Sequence, residues 1–230
     1  MINPRQKIFK DSENDLTINC QNEGLKIENL YFHIIGPLNL SIARSECVGV
    51  TGPSGAGKTL FLRAVADIDP CTGKISLHGT ESVLAPPPEW RKQAGLLPSE
   101  SVWWFDTVGE HFPVSQNEYW KQKDIKCFEA LSFETDVLNW KISRLSSGER
   151  QRLAILRLIA NRPKALLLDE PTANLDAENI TRVEKFLETY RLENQAAVIW
   201  VSHDIEQLGR VSNRRFLLKN STFTELQFDV

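Results

Sequence analysis

Apolar and polar positions alternate over Leu25–Leu30 and again over Leu38–Ile42, which predicts two half-buried strands. Two later runs, Ala165–Leu168 and Ala197–Val201, are apolar throughout. Such runs are typical of strands that are covered on both faces in a parallel sheet. A shorter apolar strand, Cys47–Thr51, is followed by a glycine. Because helical segments lie between these strands, the pattern predicts an α/β core.

Helical patterns predict three helices, over Lys58–Asp67, Ser147–Ala160 and Ala177–Leu192. The first should present one apolar face, formed by Leu60, Phe61, Ala64, Val65 and Ile68. Two further strands are expected over Lys74–His78 and Ala94–Leu97. Three consecutive prolines, 86–88, cannot lie inside a helix and indicate a surface connection. We expect one domain over residues 1–230, with a loose N-terminal segment (1–20) and a helical subdomain inserted at about 108–160.

The composition narrows the class of protein. Of the 230 residues 41% are hydrophobic and 25% charged, as in an ordinary globular protein with a sizeable core. Lysine and arginine number 27 against 30 acidic residues, and this net charge of −3 argues against a nucleic-acid partner. The longest apolar run has six residues, whereas a membrane-spanning helix needs about 20. The four cysteines are widely spaced and form no CxxC pair. We expect an intracellular protein of the reducing cytoplasm.

A phosphate-binding loop is predicted directly after the strand Cys47–Thr51. The segment 52–59 matches the pattern GxxxxGK[ST] in full, between an apolar strand and an apolar-faced helix. Glycines let successive N–H groups point at phosphate oxygens, and the helix N-terminus adds positive charge. A glycine-rich turn that binds nothing is the alternative, and the surrounding strand and helix argue against it. The residues expected to bind nucleotide are Gly52, Pro53, Ser54, Gly55, Ala56, Gly57, Lys58, Thr59 and Leu60.

An acidic pair, Asp169 and Glu170, follows the buried strand Ala165–Leu168. Ligands of open α/β sheets bind at the carboxyl ends of the strands, so these carboxylates should lie beside the phosphate loop. We expect Asp169 and the Thr59 hydroxyl to hold Mg²⁺, and Glu170 to orient or deprotonate the attacking water. A solvated turn or helix cap is the alternative for such a pair.

Three further motifs complete a family pattern. LSSGERQR occupies 145–152, PTANLD occupies 171–176 and Ser-His-Asp occupies 202–204. With these motifs the chain resembles the nucleotide-binding subunit of an ATP-binding cassette (ABC) transporter, from about Leu25 to about Thr224. The resemblance implies a RecA-like P-loop NTPase core with an antiparallel β edge subdomain and an inserted α-helical subdomain.

The resemblance also implies a role for each motif. Lys58, Glu170 and His203 would act on the γ-phosphate, Glu170 as the catalytic carboxylate and His203 as the switch histidine. Ser146, Ser147, Gly148 and Glu149 match the signature, which in the family contacts ATP bound by the partner subunit. Asp176 matches the D-loop at the dimer interface. Judged by its residues alone, a single histidine after a strand is more often structural than catalytic.

The chain departs from the family pattern at three places. Ser147 replaces a signature glycine, which function should survive unless the site demands a positive φ. Ser99 stands where the family places a glutamine close to Mg²⁺, with Glu100 beside it. The adenine-stacking aromatic would be Tyr31 or Phe32, each of which could instead belong to the core.

Two adjacent tryptophans, Trp103 and Trp104, follow the substituted glutamine position. In an extended segment they cannot both point into one core, so one is a candidate anchor for a partner, with a small core as the alternative. The resemblance implies an ATPase that powers a separate transmembrane permease subunit. It implies an ATP-dependent head-to-tail homodimer, peripheral on the cytoplasmic face of the membrane. The alternative is an ABC-type switch without a permease, acting on nucleic acid or ribosomes.

Overall fold

Two sheets form the framework of the molecule. The computed structural model describes residues 23–112 and 126–227. The first sheet is antiparallel, with strand order β2-β1-β4-β5; the second has the order β10-β9-β3-β8-β7-β6. The second sheet is parallel from β9 to β6, and β10 pairs antiparallel with β9 at its edge. The strands are β1 Glu23–Phe32, β2 Ile35–Ala43, β3 Cys47–Thr51, β4 Thr72–Leu77, β5 Thr80–Glu81, β6 Ala94–Leu97, β7 Ala165–Asp169, β8 Ala197–Val201, β9 Arg214–Lys219 and β10 Thr222–Glu225.

Helices cover both faces of the second sheet. They are α1 Lys58–Val65, α2 Pro87–Gln93, α3 Ser147–Ile159, α4 Ala177–Glu193 and α5 Ile205–Val211. Short 3₁₀ turns occupy Ser82–Leu84, Gly109–His111, Thr135–Asn139 and Ile142–Arg144. In the two described stretches no helix is long and apolar enough to cross a membrane.

The central strand β7 shows how the core is divided. Leu167 faces one hydrophobic cluster, which α1 and the first sheet complete, while Leu166 and Leu168 face a second cluster with α3 and α4. All five residues of β3, β7 and β8 are buried. The prediction of a doubly covered parallel sheet from the apolar runs at 165–168 and 197–201 is therefore confirmed.

The helix after the phosphate loop is shorter than predicted. It ends at Val65, and Asp67 takes a left-handed φ of 56°. The predicted apolar face was wrong at Ile68, which is 43% exposed, and it missed the buried Leu62. Leu60 is partly buried and packs against the core, as predicted. The strong pair between Arg63 and Asp69, with two N–O distances of 2.7 Å, fixes this early turn away from the helix.

The proline run has a different role from the one expected. Pro87 and Pro88 occupy the first positions of α2, where a missing N–H costs nothing. This helix buries Trp90, whose Nε1 donates to the carbonyl of Val65 at 2.9 Å. The segment 108–140 was expected to be helical, and its described parts contain 3₁₀ turns and a helical stretch over 126–130. Residues 1–20 and 113–125 of the predicted segments lie outside the described residues.

The two-sided burial of β7 predicts a large cost for trimming its centre. We expect Leu167→Ala to lower the free energy of unfolding by about 2–5 kcal/mol, because it leaves a cavity between packed layers. Urea denaturation measures the change. Leu192→Ala removes the same atoms from a side chain that is 55% exposed and should cost less than about 0.5 kcal/mol. Equal losses in the two variants would contradict this account of the core.

Candidate active site

The loop between β3 and α1 is shaped by its glycines. Gly55 and Gly57 have φ values of 77° and 97°, which side-chain-bearing residues rarely adopt. A Cβ on Gly57 would collide with Ile35 of β2. A Cβ on Gly55, by contrast, would meet nothing within 4 Å. The loop is thus backed by the first sheet, with open space at Gly55 where a ligand can approach the backbone.

Lys58 lies inside this loop. Its side chain is largely buried, and Nζ donates to the carbonyl oxygens of Gly52 at 2.8 Å and Pro53 at 3.1 Å. Burial lowers the pKa of Lys58, against the opposing attraction of Glu170 and Asp169. Because its direct acceptors are neutral carbonyls, an approaching phosphate would supply the compensating charge that this ammonium lacks.

Thr59 joins the loop to the end of β7. Its hydroxyl donates to Oδ2 of Asp169 at 2.8 Å, and Asp169 is only 3% exposed. A hydroxyl and a carboxylate in contact, beside a phosphate-binding loop, form a donor set that suits Mg²⁺ shared with substrate phosphates. The residues present therefore fit the metal that the sequence predicts here.

Glu170 adopts a left-handed backbone conformation, with φ of 48°. Its N–H donates to the carbonyl of Val201, so the chain stays paired with β8 while the side chain turns out of the strand. Burial raises the pKa of Glu170, and the neighbouring His203 opposes that shift. Oε1 is buried, has no hydrogen-bond partner within residues 23–112 and 126–227, and lies 3.7 Å from Nε2 of His203. A non-glycine residue in this conformation is a feature of functional sites.

His203 follows β8 at the same edge of the sheet. Its side chain is 54% exposed, and the preceding Ser202 is buried. The Ser202 hydroxyl lies 3.4 Å from Oε2 of Glu170. The sheet therefore brings together the predicted residues Lys58, Thr59, Asp169, Glu170 and His203, and leaves the imidazole accessible from solvent.

The signature residues lie elsewhere, at the N-terminus of α3. Ser146 caps the helix by accepting from the N–H of Glu149, whose carboxylate accepts in return from the Ser146 N–H and hydroxyl, both at 2.8 Å. Ser147 is an ordinary first helical residue without a positive φ, so the condition for replacing glycine is met. A Cβ on Gly148 would lie 3.2 Å from Leu175 and 3.3 Å from the Asn174 carbonyl. The signature thus packs against the D-loop.

Asp176 ends that D-loop and caps α4. Its Oδ1 accepts from the N–H of Asn179 at 2.8 Å, and this contact is the main cause of its lowered pKa. Ser146 and Asp176 are both exposed, and neither contacts the cluster around Lys58 and Glu170 in the described parts of the chain. Ser99 is likewise exposed, just beyond β6 at the edge of the sheet. Its contact with a metal stays a prediction.

Of Tyr31 and Phe32, the two candidates for stacking on adenine, only Tyr31 is accessible. Phe32 is 2% exposed and packs on Phe61, with ring centroids 6.1 Å apart, so it belongs to the core. Tyr31 is 48% exposed. Ile34 was not among the residues predicted to lie at the site. It is 93% exposed in the turn between β1 and β2, and it precedes Ile35, whose side chain packs against Gly57. An apolar residue in a two-residue turn was the available signal.

Gln151 was also overlooked. It is buried in α3, and its Nε2 donates to the carbonyl of Pro171 at 3.2 Å and lies 3.5 Å from that of Glu170. This amide links the signature helix to the loop that carries the acidic pair. A polar residue on the apolar face of a predicted helix was the signal.

The family model for ABC transporters matches residues 35–173. The chain belongs to the ABC transporter family. It is 31% identical over 202 residues to the probable iron export ATP-binding protein FetA of Escherichia coli, covering 86% of this chain and 89% of the relative. It is 30% identical to the aliphatic sulfonates import ATP-binding protein SsuB 2 of Frankia alni, covering 84% of this chain and 74% of the relative.

Solved ABC structures share the fold. The ATP-binding cassette MJ0796, described as a dimer in a post-hydrolysis state with ADP and Pi, superposes with a TM-score of 0.76 and 25% identity. The match covers 90% of this chain and 99% of that one. A bacterial Atm1-family ABC exporter with ATP bound has the same TM-score at 21% identity, covering 89% of this chain and 38% of that one. The chain is thus an ABC ATPase with the P-loop NTPase fold, which binds and hydrolyses ATP.

The position of Lys58 predicts a binding defect. We expect Lys58→Ala to weaken ATP binding by about tenfold or more, because the ammonium faces the phosphate loop and the substitution removes a charge-assisted contact. Equilibrium nucleotide titration measures the affinity. Lys92→Ala removes the same charge from an exposed position on α2 and should bind ATP like the unmodified protein. Unchanged affinity in Lys58→Ala would contradict the assignment of the loop.

Proposed function

We propose that two copies of this chain meet head to tail around two ATP molecules and drive a separate membrane-spanning permease. The main support for the proposal is that the nucleotide-binding residues and the signature residues lie apart on one chain. Lys58, Asp169, Glu170 and His203 converge at one edge of the sheet, whereas Ser146–Glu149 lie at the exposed start of α3.

This separation gives each chain half of two sites. ATP on the phosphate loop of one copy presents its γ-phosphate outward, and the N-terminus of α3 from a second copy offers N–H groups and positive charge for it. Neither surface alone neutralises that phosphate. ATP therefore bridges the two copies and stabilises the dimer. The described dimer of the cassette MJ0796 supports this arrangement.

The residues around Lys58 divide the work of hydrolysis. Thr59 and Asp169 would hold Mg²⁺, which would neutralise charge on the phosphates. Lys58 binds the phosphates directly. Glu170 orients the attacking water and accepts its proton, a role supported by an Oε1 that has no hydrogen-bond partner among the described residues. His203 lies next to this carboxylate and contacts the γ-phosphate from the solvent side.

An exposed apolar segment after β6 is evidence for a protein partner such as the permease. Val102, Trp104 and Phe105 are 70, 63 and 49% exposed, while Trp103 is partly buried against the second core cluster. Of the two tryptophans, Trp104 is therefore the candidate anchor for a partner, and Trp103 belongs to the core. The guanidinium of Arg157 lies 4.4 Å from the Trp103 ring and 5.0 Å from the Trp104 ring, which holds the segment in place. Exposed aromatic anchors of this kind are typical of protein interfaces.

The names of the relatives point the same way, since they describe ATP-binding proteins of iron export and of sulfonate import. We place the subunit on the cytoplasmic face of the membrane, attached through the permease.

We also propose that residues 1–230 form one domain, in which the segment at about 108–160 is the helical subdomain.

The dimer proposal predicts a trapped state. Glu170→Gln should bind ATP and form a stable dimer, because the nucleotide is held but water is not activated; turnover should fall by a hundredfold or more, about 3 kcal/mol in the barrier. Size-exclusion chromatography with light scattering measures the dimer, and phosphate release measures turnover.

Ser146→Arg in the same Glu170→Gln background is the control. It places a bulky cation at the exposed start of α3, so it should leave ATP binding by the monomer intact while abolishing the dimer. Rapid turnover by Glu170→Gln, or a dimer that survives Ser146→Arg, would contradict the proposal.

The permease proposal is tested with tagged Glu170→Gln and ATP, recovered from detergent-solubilised membranes and analysed by mass spectrometry. We expect a stoichiometric polytopic membrane protein. Trp104→Ala should reduce its recovery about tenfold, because the anchor is lost. Leu84→Ala, which trims another exposed apolar side chain, should not. Recovery with ribosomes, with nucleic acid or without any partner would contradict the permease.

A further inference from the structure

A buried amide lies behind the two loops that carry the catalytic cluster. Gln207 belongs to α5 and is 3% exposed, next to the fully apolar core position Leu208. Burying an amide costs free energy unless its hydrogen bonds are met. A leucine or methionine would fill this space without that requirement. The partners of Gln207 therefore indicate why an amide is present.

Those partners come from both catalytic loops. Nε2 donates to the hydroxyl of Thr172, two residues after Glu170, at 2.9 Å. Oε1 accepts from the hydroxyl of Ser202, the residue before His203, at 3.1 Å. The Ser202 oxygen also lies 3.4 Å from Oε2 of Glu170, so its single proton is shared between Gln207 and Glu170. One amide thus joins the loop after β7 to the loop after β8, directly behind the carboxylate.

The orientation of this amide is fixed from outside. Its second N–H donates to Oε1 of Glu184 on α4 at 2.9 Å, and Arg210 holds that carboxylate at 3.0 Å. An ionised carboxylate can only accept, so Glu184 selects the nitrogen end of the amide. The oxygen end is then directed at Ser202. A flipped amide would set its oxygen against the Glu184 carboxylate, two acceptors facing each other, and would lose that contact.

We propose that Gln207 is a positioning residue for ATP hydrolysis. It acts through Ser202 and Thr172, and keeps the Glu170 carboxylate and the His203 imidazole at a fixed separation while the dimer forms and opens. It does not touch the substrate. The inference rests on the proposed role of Glu170, and it adds a support that is anchored in α4 and α5 rather than in the phosphate loop.

The first test is Gln207→Met, which preserves volume and removes the amide. We expect kcat to fall about 10- to 100-fold, the usual effect of losing a supporting hydrogen bond behind a functional group. The KM for ATP and the equilibrium affinity for ATP should stay within about twofold, because no loop residue from Gly52 to Thr59 is altered. A purely structural amide would lower the melting temperature without separating kcat from KM.

The matched control is Arg210→Met on the same helix. It removes the outer partner of Glu184 and weakens the contact between α4 and α5, but leaves the bonds of Gln207 to Ser202 and Thr172 in place. Because Glu184 still accepts from Nε2 of Gln207, Arg210→Met should lower the melting temperature but reduce kcat by less than about threefold. An equal loss of kcat in Arg210→Met, or unchanged kcat in Gln207→Met, would overturn the inference.

A rescue experiment covers the case in which Gln207→Met fails to fold. Gln207→Glu alone sets two carboxylates side by side and should lose activity. The exchange Gln207→Glu with Glu184→Gln restores a donor on α4 and an acceptor facing Ser202 at unchanged net charge, and should recover kcat to within about threefold. A folded double variant that stays as slow as Gln207→Glu alone would overturn the positioning role.

Glu170→Gln is measured beside these variants. If Glu170→Gln turns over as fast as the unmodified protein, the proposed role of Glu170 fails, and the inference built on it fails with it. If Glu170→Gln is slow while Gln207→Met is fast, only the inference about Gln207 fails. The two outcomes are therefore distinguishable in one set of assays.

Discussion

The burial of the central strands on both faces is the constraint on which the rest of the site depends. β3, β7 and β8 carry no exposed residue, so a polar side chain on them can lie only where the strand ends. In a parallel sheet these ends lie at one edge. Asp169 and Glu170 leave β7 there, His203 leaves β8 there, and the phosphate loop leaves β3 there. The hydrogen bond from Thr59, at the start of α1, to Asp169, at the end of β7, then fixes the spacing between the phosphate loop and the acidic pair.

Much of this arrangement is predictable from the sequence because strong local rules act together. The apolar runs at 165–168 and 197–201 specify buried strands, and the glycine pattern at 52–59 specifies the turn between strand and helix. The failures have physical causes. The helix after the loop ends early because Arg63 captures Asp69, and α2 was not recognised because prolines that forbid a helix interior favour a helix start. The position of Ile35 against Gly57 depends on how the first sheet packs on the phosphate loop, which no local pattern encodes.

The polar residues that the sequence analysis overlooked share one property. Gln151 and Gln207 are both buried in helices, and both hold the loop after β7 from behind. Motifs in the sequence identify the residues that are predicted to contact substrate. The residues that hold them in place are identified only by their burial and hydrogen bonds in the folded structure. Glu170, with its left-handed backbone, is thus supported from α3 on one side and from α5 on the other.

The capping contacts of Ser146 have a consequence for the resting subunit. In the single chain its hydroxyl proton is already given to Glu149, and the lowered pKa of Glu149, caused mainly by the backbone N–H of Ser146, keeps that carboxylate ionised. The Ser146 hydroxyl and the Glu149 carboxylate of the single chain are therefore already hydrogen-bonded to each other, and Arg144 and Arg152 lie close enough to attract that carboxylate. In the proposed dimer, a γ-phosphate held by another copy would compete with the Glu149 carboxylate for the Ser146 hydroxyl, so that docking would exchange one hydrogen bond within the chain for one between copies.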